Sequence, residues 1–447
     1  MQSDWPLVPI GEVAQVFDGP HATPKKTNSG PVFLGISSIN NGRLDLSDVE
    51  HLSEDDFARW TRRVIPQEED VVFSYETRLG QAAIIPPGLR CCLGRRMALV
   101  RPNCGRLLPR YFLYYFLSSE FQAFLKARTI HGSTVERLPL TDFPSYPVRL
   151  PPLETQRAIC RVLAALDDRI NLLRQTNATL ESIAQAIFKS WFVDFDPVRA
   201  KAEGREPDGM DAATAALFPA EFEESKLGLI PKGWRAGDLA MLCSDGLGFI
   251  QTGPFGSQLH ASDYESEGVP VVMPQDLEDR RISTDRIARV SDENVERLSR
   301  HKLVVGDVVF SRRGDVGRHA AVTAEEAGWL CGTGCLLVRP GPAWPSPAFL
   351  SQALANSSAT DWLKRHAVGA TMPNLNTGIL SALPLLLPSY PVLAAFEAFG
   401  GALETRITGN RAQAAQLAGL RDALLPRLIC GKLRLPVAQE QVDDALA

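Results

Sequence analysis

A chain of 447 residues with 45% hydrophobic and 8% aromatic content is too long for one ordinary core; at about 100–200 residues per domain it should hold two or three. Its net charge of −5 argues against a non-specific nucleic-acid coat. The start, Met1 to Val13, has neither a basic n-region nor an apolar h-region, and apolar runs such as Leu383 to Leu387 are far too short for a bilayer, so a cytoplasmic protein is expected.

In chain order, Val32 to Ile39, Val71 to Ser74, Gln81 to Ile85 and Met97 to Val100 read as short strands bounded by Gly, Pro and Asn turns. Arg110 to Lys126 reads as one amphipathic helix. Charge shifts along this stretch: residues 1 to 77 are acidic, whereas Arg78 to Arg149 holds eleven Lys and Arg against Glu120, Glu136 and Asp142. That segment either presents a basic face to phosphate or is neutralised in space by the acidic segment before it.

From Leu153 to Phe192 the 4,3 spacing Ile159, Leu163, Leu166, Ile170, Leu173, Asn177, Leu180, Ala184, Ile187, Trp191 keeps a seam on one side of a helix. A helix of that span is about 60 Å long at about 1.5 Å per residue. The segment Asp196 to Gly233, rich in Pro, Gly, Ala and acids, reads as a surface connector.

The chain then repeats itself with a period of about 237 residues, long enough for a whole domain plus a helix. Asp70-Val71-Val72-Phe73-Ser74 returns as Asp307-Val308-Val309-Phe310-Ser311, Arg101-Pro102 as Arg339-Pro340, and Gly132-Ser133-Thr134 as Gly369-Ala370-Thr371. The second copy supplies strands at Val269 to Met273, Asp307 to Phe310, Ala320 to Thr323 and Cys335 to Val338, and a helix from Ala348 to Leu363. A second seam follows at Phe396, Gly400, Leu403, Ile407, Asn410, Ala414, Leu417, Arg421, Leu424 and Leu428, with Pro426 in the last turn. An antiparallel pairing with Asn177 facing Asn410 puts Leu173 on Ala414, Leu163 on Leu424, Leu180 on Ile407 and Trp191 on Phe396. A buried Asn layer of this kind fixes register.

These signals predict an α+β protein: two similar mixed domains related by an internal pseudo-two-fold repeat and separated by two long helices in an antiparallel coiled coil. The expected divisions are 1–150 and 233–388 for the domains, 151–195 and 389–436 for the helices, 196–232 for the connector and 437–447 for an acidic tail.

No phosphate-binding Gly-x-x-x-x-Gly-Lys loop, dinucleotide fingerprint, His-Glu-x-x-His or nucleophile elbow occurs, so no catalytic residue is assigned. Eight Cys without paired Cys-x-x-Cys knuckles read as reduced thiols, and no metal site is expected. What remains is binding chemistry in polar loops at matching places in both copies. Arg and Lys can read guanine, Asn and Gln adenine, and Ser and Thr can hold phosphate. The candidates for DNA contact are Thr23, Lys25, Lys26, Ser74, Arg78, Arg95, Arg96, Ser133 and Thr134 in the first copy. In the second they are Ser257, Gln258, Arg312, Arg313, Arg318, Thr371 and Asn374. The apolar helix ends, with Trp191, Phe192, Phe195 and Leu425 beside Arg427, are candidates for a partner surface.

Together with the repeat, four stretches carry a family resemblance: Leu150-Pro151-Pro152-Leu153-Glu154-Thr155-Gln156, Ile187 to Val198 (IFKSWFVDFDPV), Gly228-Leu229-Ile230-Pro231-Lys232-Gly233-Trp234, and Leu424 to Leu433 (LLPRLICGKL). On these residues the chain resembles the specificity subunit of a Type I restriction-modification system. The resemblance implies a non-catalytic subunit whose two recognition domains each read one half of an asymmetric, bipartite site on double-stranded DNA. It also implies a helix pair that sets the spacer and docks two modification subunits. No cofactor is then expected in this chain: S-adenosylmethionine belongs to the modification subunit, ATP and Mg to the restriction subunit. The second helix entry lacks the Glu-x-Gln of the first, which weakens the docking expectation there. Other readings are a coiled-coil scaffold that binds proteins without DNA specificity, favoured by the acidic pI, and a stand-alone DNA enzyme.

Overall fold

The two seams fold as continuous 40-residue helices, Leu153–Phe192 and Tyr390–Ile429, with Pro426 accommodated in the last turn. Every seam position is buried or half-buried. The computed structural model describes residues 5–40, 42–131, 135–243, 247–278, 280–341, 344–369 and 372–446. It divides into two units, residues 1–175 with 411–447, and residues 176–410, so each unit takes part of each helix.

In unit 2 the helices run antiparallel, because Trp191 stacks edge-on against Phe396 at 5.8 Å while Asn177, fourteen residues earlier, meets Asn410, fourteen residues later. Asn410 Nδ2 donates to Asn177 Oδ1 at 2.8 Å, and Asn177 Nδ2 donates to the Ile407 carbonyl at 3.1 Å. Both amides are buried, so an unmatched register would strand them without partners. In unit 1 the half-seams share one core, with Ile159, Leu163, Leu166, Ile170 and Leu173 clustered with Ala414, Leu417, Leu424 and Leu428. There Arg421 donates to Asp167 at 2.9 Å, and Asp167 also accepts from the Tyr114 hydroxyl at 2.7 Å, fastening both helices to the domain.

Each unit builds the same sheets from its copy of the repeat. In unit 1 a four-stranded antiparallel sheet has the order Ala14–Asp18, Met97–Pro102, Val71–Ser74, Ala82–Ile84. In unit 2 the order is Phe249–Thr252, Cys335–Arg339, Val308–Ser311, His319–Ala321. Beside each lies a parallel pair, Lys26–Leu34 with Cys91–Leu93 and Val269–Val272 with Leu330–Cys331. These pairs close where Gly94 N–H donates to Leu34 at 2.7 Å and Gly332 N–H to Val272 at 2.9 Å. A Cβ at either glycine would stand 2.4 or 2.6 Å from that same carbonyl oxygen, so only glycine fits.

The likeness extends to buried charge. Arg101 bonds the buried Asp70 carboxylate twice, at 2.8 and 2.7 Å, and donates to the Ile65 carbonyl. Arg339 does the same to Asp307, at 2.8 and 2.6 Å, and to the Lys302 carbonyl. Two-point geometry plus a backbone acceptor offsets the cost of burying the carboxylate.

The structure differs from the sequence reading in four places. Each expected single helix is two: Pro109–Leu117 and Ser119–Ala127 in unit 1, Pro347–Ala355 and Ser357–His366 in unit 2. Ser118 (ψ 149°) and Asn356 (ψ 141°) leave helical geometry there, and their side chains cap the second helix of each pair. The connector is not merely surface, since Val198, Phe218 and Ile230 are buried in the unit 2 core. The acidic tail folds as a helix, Leu435–Leu446, whose Ala438 and Val442 are buried in unit 1.

The fourth difference concerns the helix ends. Phe192 is buried, and Trp191 and Phe195 pack on the same unit 2 core. Phe195 takes a left-handed φ of 58° and turns the chain back so that Asp196–Ala202 begins at once, with Pro197 in its first turn. Contacts with Phe222 and Trp234 hold that costly conformation. Leu425 is likewise buried in unit 1, which leaves Arg427 as the exposed member of the candidate partner surface. The four apolar side chains are thus needed by their own units.

Candidate nucleic-acid interface

Where the repeated strand ends, both units make the same turn. Ser74 Oγ donates to the Glu76 carbonyl at 2.6 Å, and Ser311 Oγ to the Arg313 carbonyl at 2.9 Å. Both serines are buried, so Ser74 shapes the loop and is withdrawn as a DNA contact. The loop then docks on two neighbours. Tyr75 N–H donates to Arg96 and Leu138 N–H to Tyr75 in unit 1; Arg312 N–H donates to Gly334 and Leu375 N–H to Arg312 in unit 2. In each unit, therefore, the segments around 76, 96 and 137, or around 313, 334 and 374, come to one place.

On this common frame the side chains differ. Unit 1 sets Arg96 beside Glu76 at 2.7 Å and within 3.3 Å of the Thr77 hydroxyl, with exposed Arg95 next to it in the chain and exposed Arg137 bridged to Glu76. Unit 2 exposes Arg313, bridges it to Asn374, and turns Arg312 to the Leu375 carbonyl at 3.3 Å. The buried Asn374 Oδ1 has no hydrogen-bond partner among the described residues. Exposed Val368 is bridged to Asn374, and exposed Met372 lies two residues before it. Arg318 is exposed and paired with Asp315 at 2.9 Å, and Arg78 donates to the Ile36 carbonyl at 3.3 Å.

Backbone strain falls on the same positions. Thr77 and Arg96 hold φ of 67° and 72°, and their counterparts Gly314 and Gly334 hold 76° and 87°. Unit 2 meets the left-handed requirement with glycine, whereas unit 1 keeps side chains there, one of them β-branched. Strain retained where glycine suffices points to use of those side chains. Thr77 and Arg137 were missed in sequence reasoning; aligning the two copies residue by residue sets them opposite Gly314 and Asn374.

The first loops also occupy matching places, with Gly19 N–H donating to Met97 and Gly253 N–H to Cys335, each at 2.9 Å. Beyond them Thr23, Lys25 and Lys26 are exposed, Lys26 being paired with Glu50. Ser257 is exposed, and Gln258 is spent locally, its Oε1 accepting from Phe255 N–H at 3.0 Å. Ser133, Thr134 and Thr371 lie outside the described residues. The basic segment 78–149 is neutralised in part: Arg90, Arg96 and Arg101 pair with Glu54, Glu76 and Asp70 of the acidic segment, and Arg110 and Arg149 with Asp168 and Glu120.

Gln156, in the helix-entry stretch, is fully buried. Its amide accepts from Leu108 N–H and donates to the Arg106 and Pro151 carbonyls, each at 2.9 Å. It ties the domain to the first long helix, and in the second copy Glu397 takes over by accepting from Ser346 Oγ and Ala348 N–H. The missing Glu-x-Gln thus reflects a replaced tie. Among the described residues no group of three or more His, Cys, Asp or Glu could hold a metal ion, and no helix is long and apolar enough to cross a membrane.

Two copies of one α+β frame thus present different sets of polar side chains at the same loop cluster. Residues 2–182 match the family described as the Type I restriction modification DNA specificity domain. The chain is 27% identical over 378 residues to the Type I restriction enzyme HindI specificity subunit of Haemophilus influenzae, covering 76% of this chain and 80% of that one. It is 23% identical over 447 residues to the MjaIX specificity subunit of Methanocaldococcus jannaschii, covering 97% and 94%. In fold it is similar to the Type I restriction-modification S subunit from M. genitalium, with a TM-score of 0.56, 14% identity, and 95% and 96% of the two chains covered. Residues 2–182 thus carry the likeness to the family's domain, and the chain as a whole is similar to specificity subunits of Type I restriction-modification systems.

Proposed function

We propose that this chain selects the DNA sequence for a Type I restriction-modification complex, each unit reading one half of an asymmetric bipartite site. The observation that supports this is the pairing of a conserved frame with changed side chains: Glu76, Arg96 and Arg137 in one copy stand where Arg313, Gly334 and Asn374 stand in the other. Like frames approach a duplex alike, and unlike side chains read unlike bases. Arg313 and Asn374 have the chemistry for guanine and adenine, and Arg95 and Arg96 for guanine or phosphate. The long helices set the gap between the half-sites, and two modification subunits, which carry S-adenosylmethionine, dock on them with Arg427 among the contacts. ATP and Mg act in the restriction subunit.

The test is co-expression with the modification subunit in a host lacking other adenine methylation, followed by genome-wide mapping of methylated adenine. A motif of two unlike halves around a fixed gap is expected. Absence of methylation from an assembled complex that binds S-adenosylmethionine refutes the reading. Adding four residues to each long helix, about 6 Å by the helical rise, should lengthen the gap and leave both halves unchanged. An altered half-site would refute the helices' role as spacer.

A further inference from the structure

Unit 1 contains an open cleft of about 400 Å³ lined by Asp18, His21, Arg59, Trp60, Arg62 and Arg63. One wall is the start of the first loop, and the other is the end of the helix Glu54–Trp60 with the turn after it. Arg63 is committed to holding that wall, donating to Asp18 at 3.2 Å and to the Gly19 carbonyl at 3.1 Å, and His21 meets the same carboxylate at 2.8 Å. Arg59 and Arg62 are exposed, and neither has an ion-pair partner among the described residues. The cleft thus holds three guanidinium groups against one carboxylate, beside an indole.

Unit 2 provides an internal comparison, because the repeat puts Arg297, Leu298, Arg300 and His301 in the places of Arg59, Trp60, Arg62 and Arg63. There the same chemistry is consumed. Arg297 donates to the Gln258 carbonyl at 2.7 Å and to Asn294 Oδ1, which draws the first loop onto the helix. Arg300 bonds Gln251, and His301 is buried, where desolvation disfavours its charged form. The aromatic wall becomes leucine. The arginines are exposed in both copies, but one frame engages them with neighbouring polar groups in unit 2 and leaves them without an ion-pair partner among the described residues in unit 1.

We infer that the unit 1 cleft is a phosphate-binding site, in which Arg59 and Arg62 grip the DNA backbone beside the bases that unit reads. Planar guanidinium groups match phosphate oxygens in two-point geometry, and a pair unneutralised by the protein supplies the counter-charge. The inference rests on the DNA-recognition reading, and it makes unit 1 the half with the stronger sequence-independent hold.

The test uses the full chain assembled with its modification subunit, and reads the slope of log affinity against log salt for target and random DNA. Arg59→Gln with Arg62→Gln should make the slope shallower by about 1 for each arginine that meets a phosphate, weaken both DNAs alike and leave the methylated motif unchanged. Arg297→Gln with Arg300→Gln should leave the slope unchanged. An unchanged slope in the Arg59/Arg62 variant, an equal loss in the Arg297/Arg300 variant, or a changed motif overturns the inference while DNA recognition stands. If the parent complex binds no DNA, the recognition reading itself fails. Calorimetry with AMP then decides whether the cleft holds a nucleotide phosphate instead: saturable binding lost in Arg59→Gln/Arg62→Gln keeps the phosphate site, and no binding removes it.

Discussion

Replacing Asn410 by Leu should cost more than replacing Asn177 and Asn410 together. In the single variant Asn177 Oδ1 loses the 2.8 Å bond from Asn410 while staying buried, and an unsatisfied buried acceptor costs about 1–3 kcal/mol. Asn177 Nδ2 keeps its bond to Ile407, so the lower half of that range, about 1–2 kcal/mol, is expected. With Leu at both positions the layer becomes apolar like those around it, and the change should be within about 1 kcal/mol of neutral or stabilising. Asn177→Leu strands the buried Asn410 Nδ2 in the same way, so a double-mutant cycle by chemical denaturation of the assembled complex should return a coupling of about 2–4 kcal/mol in magnitude. The double variant should also blur register, seen as methylation at more than one gap length. A single variant as stable as the parent, or an additive cycle, would refute the claim that this amide pair is what fixes the alignment.

Arg339→Met should destabilise unit 2 by about 3 kcal/mol, near the low end for a broken buried pair because the guanidinium keeps some solvent, and Arg101→Met should do the same to unit 1. Hydrogen exchange resolved by unit would show each loss confined to its own copy; loss spread evenly over both would contradict the paired assignment. His319 is buried against Phe310, and desolvation lowers its pKa below the usual imidazole range. Its neutral form is favoured in the folded state, so its contribution is full above about pH 6.5 and is lost as pH falls through that value, where the unfolded chain takes up the proton. Thermal melts from pH 7.5 to 5.5 should fall less steeply for His319→Gln than for the parent; parallel curves would remove His319 from the pH response.

The helix pair was legible in the sequence because its information is local and periodic. One 4,3 spacing gives the face, and one polar layer in each seam gives the alignment, so Asn177 and Asn410 could be matched before any contact was seen. The repeat was legible for the same reason, as recurring strings such as Asp-Val-Val-Phe-Ser. What those strings are for was not. Asp70 and Arg101 are 31 residues apart, and nothing local says that the aspartate opening one strand is held by the arginine closing another. The apolar cluster at Trp191 to Phe195 misled because exposure was inferred from the polar connector that follows. Its partners, Phe218, Phe222 and Trp234, lie in or just after that connector. The helix breaks at Ser118 and Asn356 carried a signal, a capping residue at the same place in both copies, but an uninterrupted apolar face outweighed it.

Comparing the copies separates what a recognition unit must keep from what it is free to change. The buried Asp–Arg pair, the Ser-bonded turn, the left-handed positions at 77/314 and 96/334, and the glycine at 94/332 recur because each satisfies a backbone or charge demand of the frame. Change is concentrated where the frame makes no such demand: at the side chains of 76/313 and 137/374, and in the pairing of Arg59 against Arg297. The frame thereby fixes where a side chain stands without fixing which one it is. A substitution at those positions should alter what is bound at little expense in stability, whereas one at Asp70 or Asp307 should unfold a unit before it alters any preference.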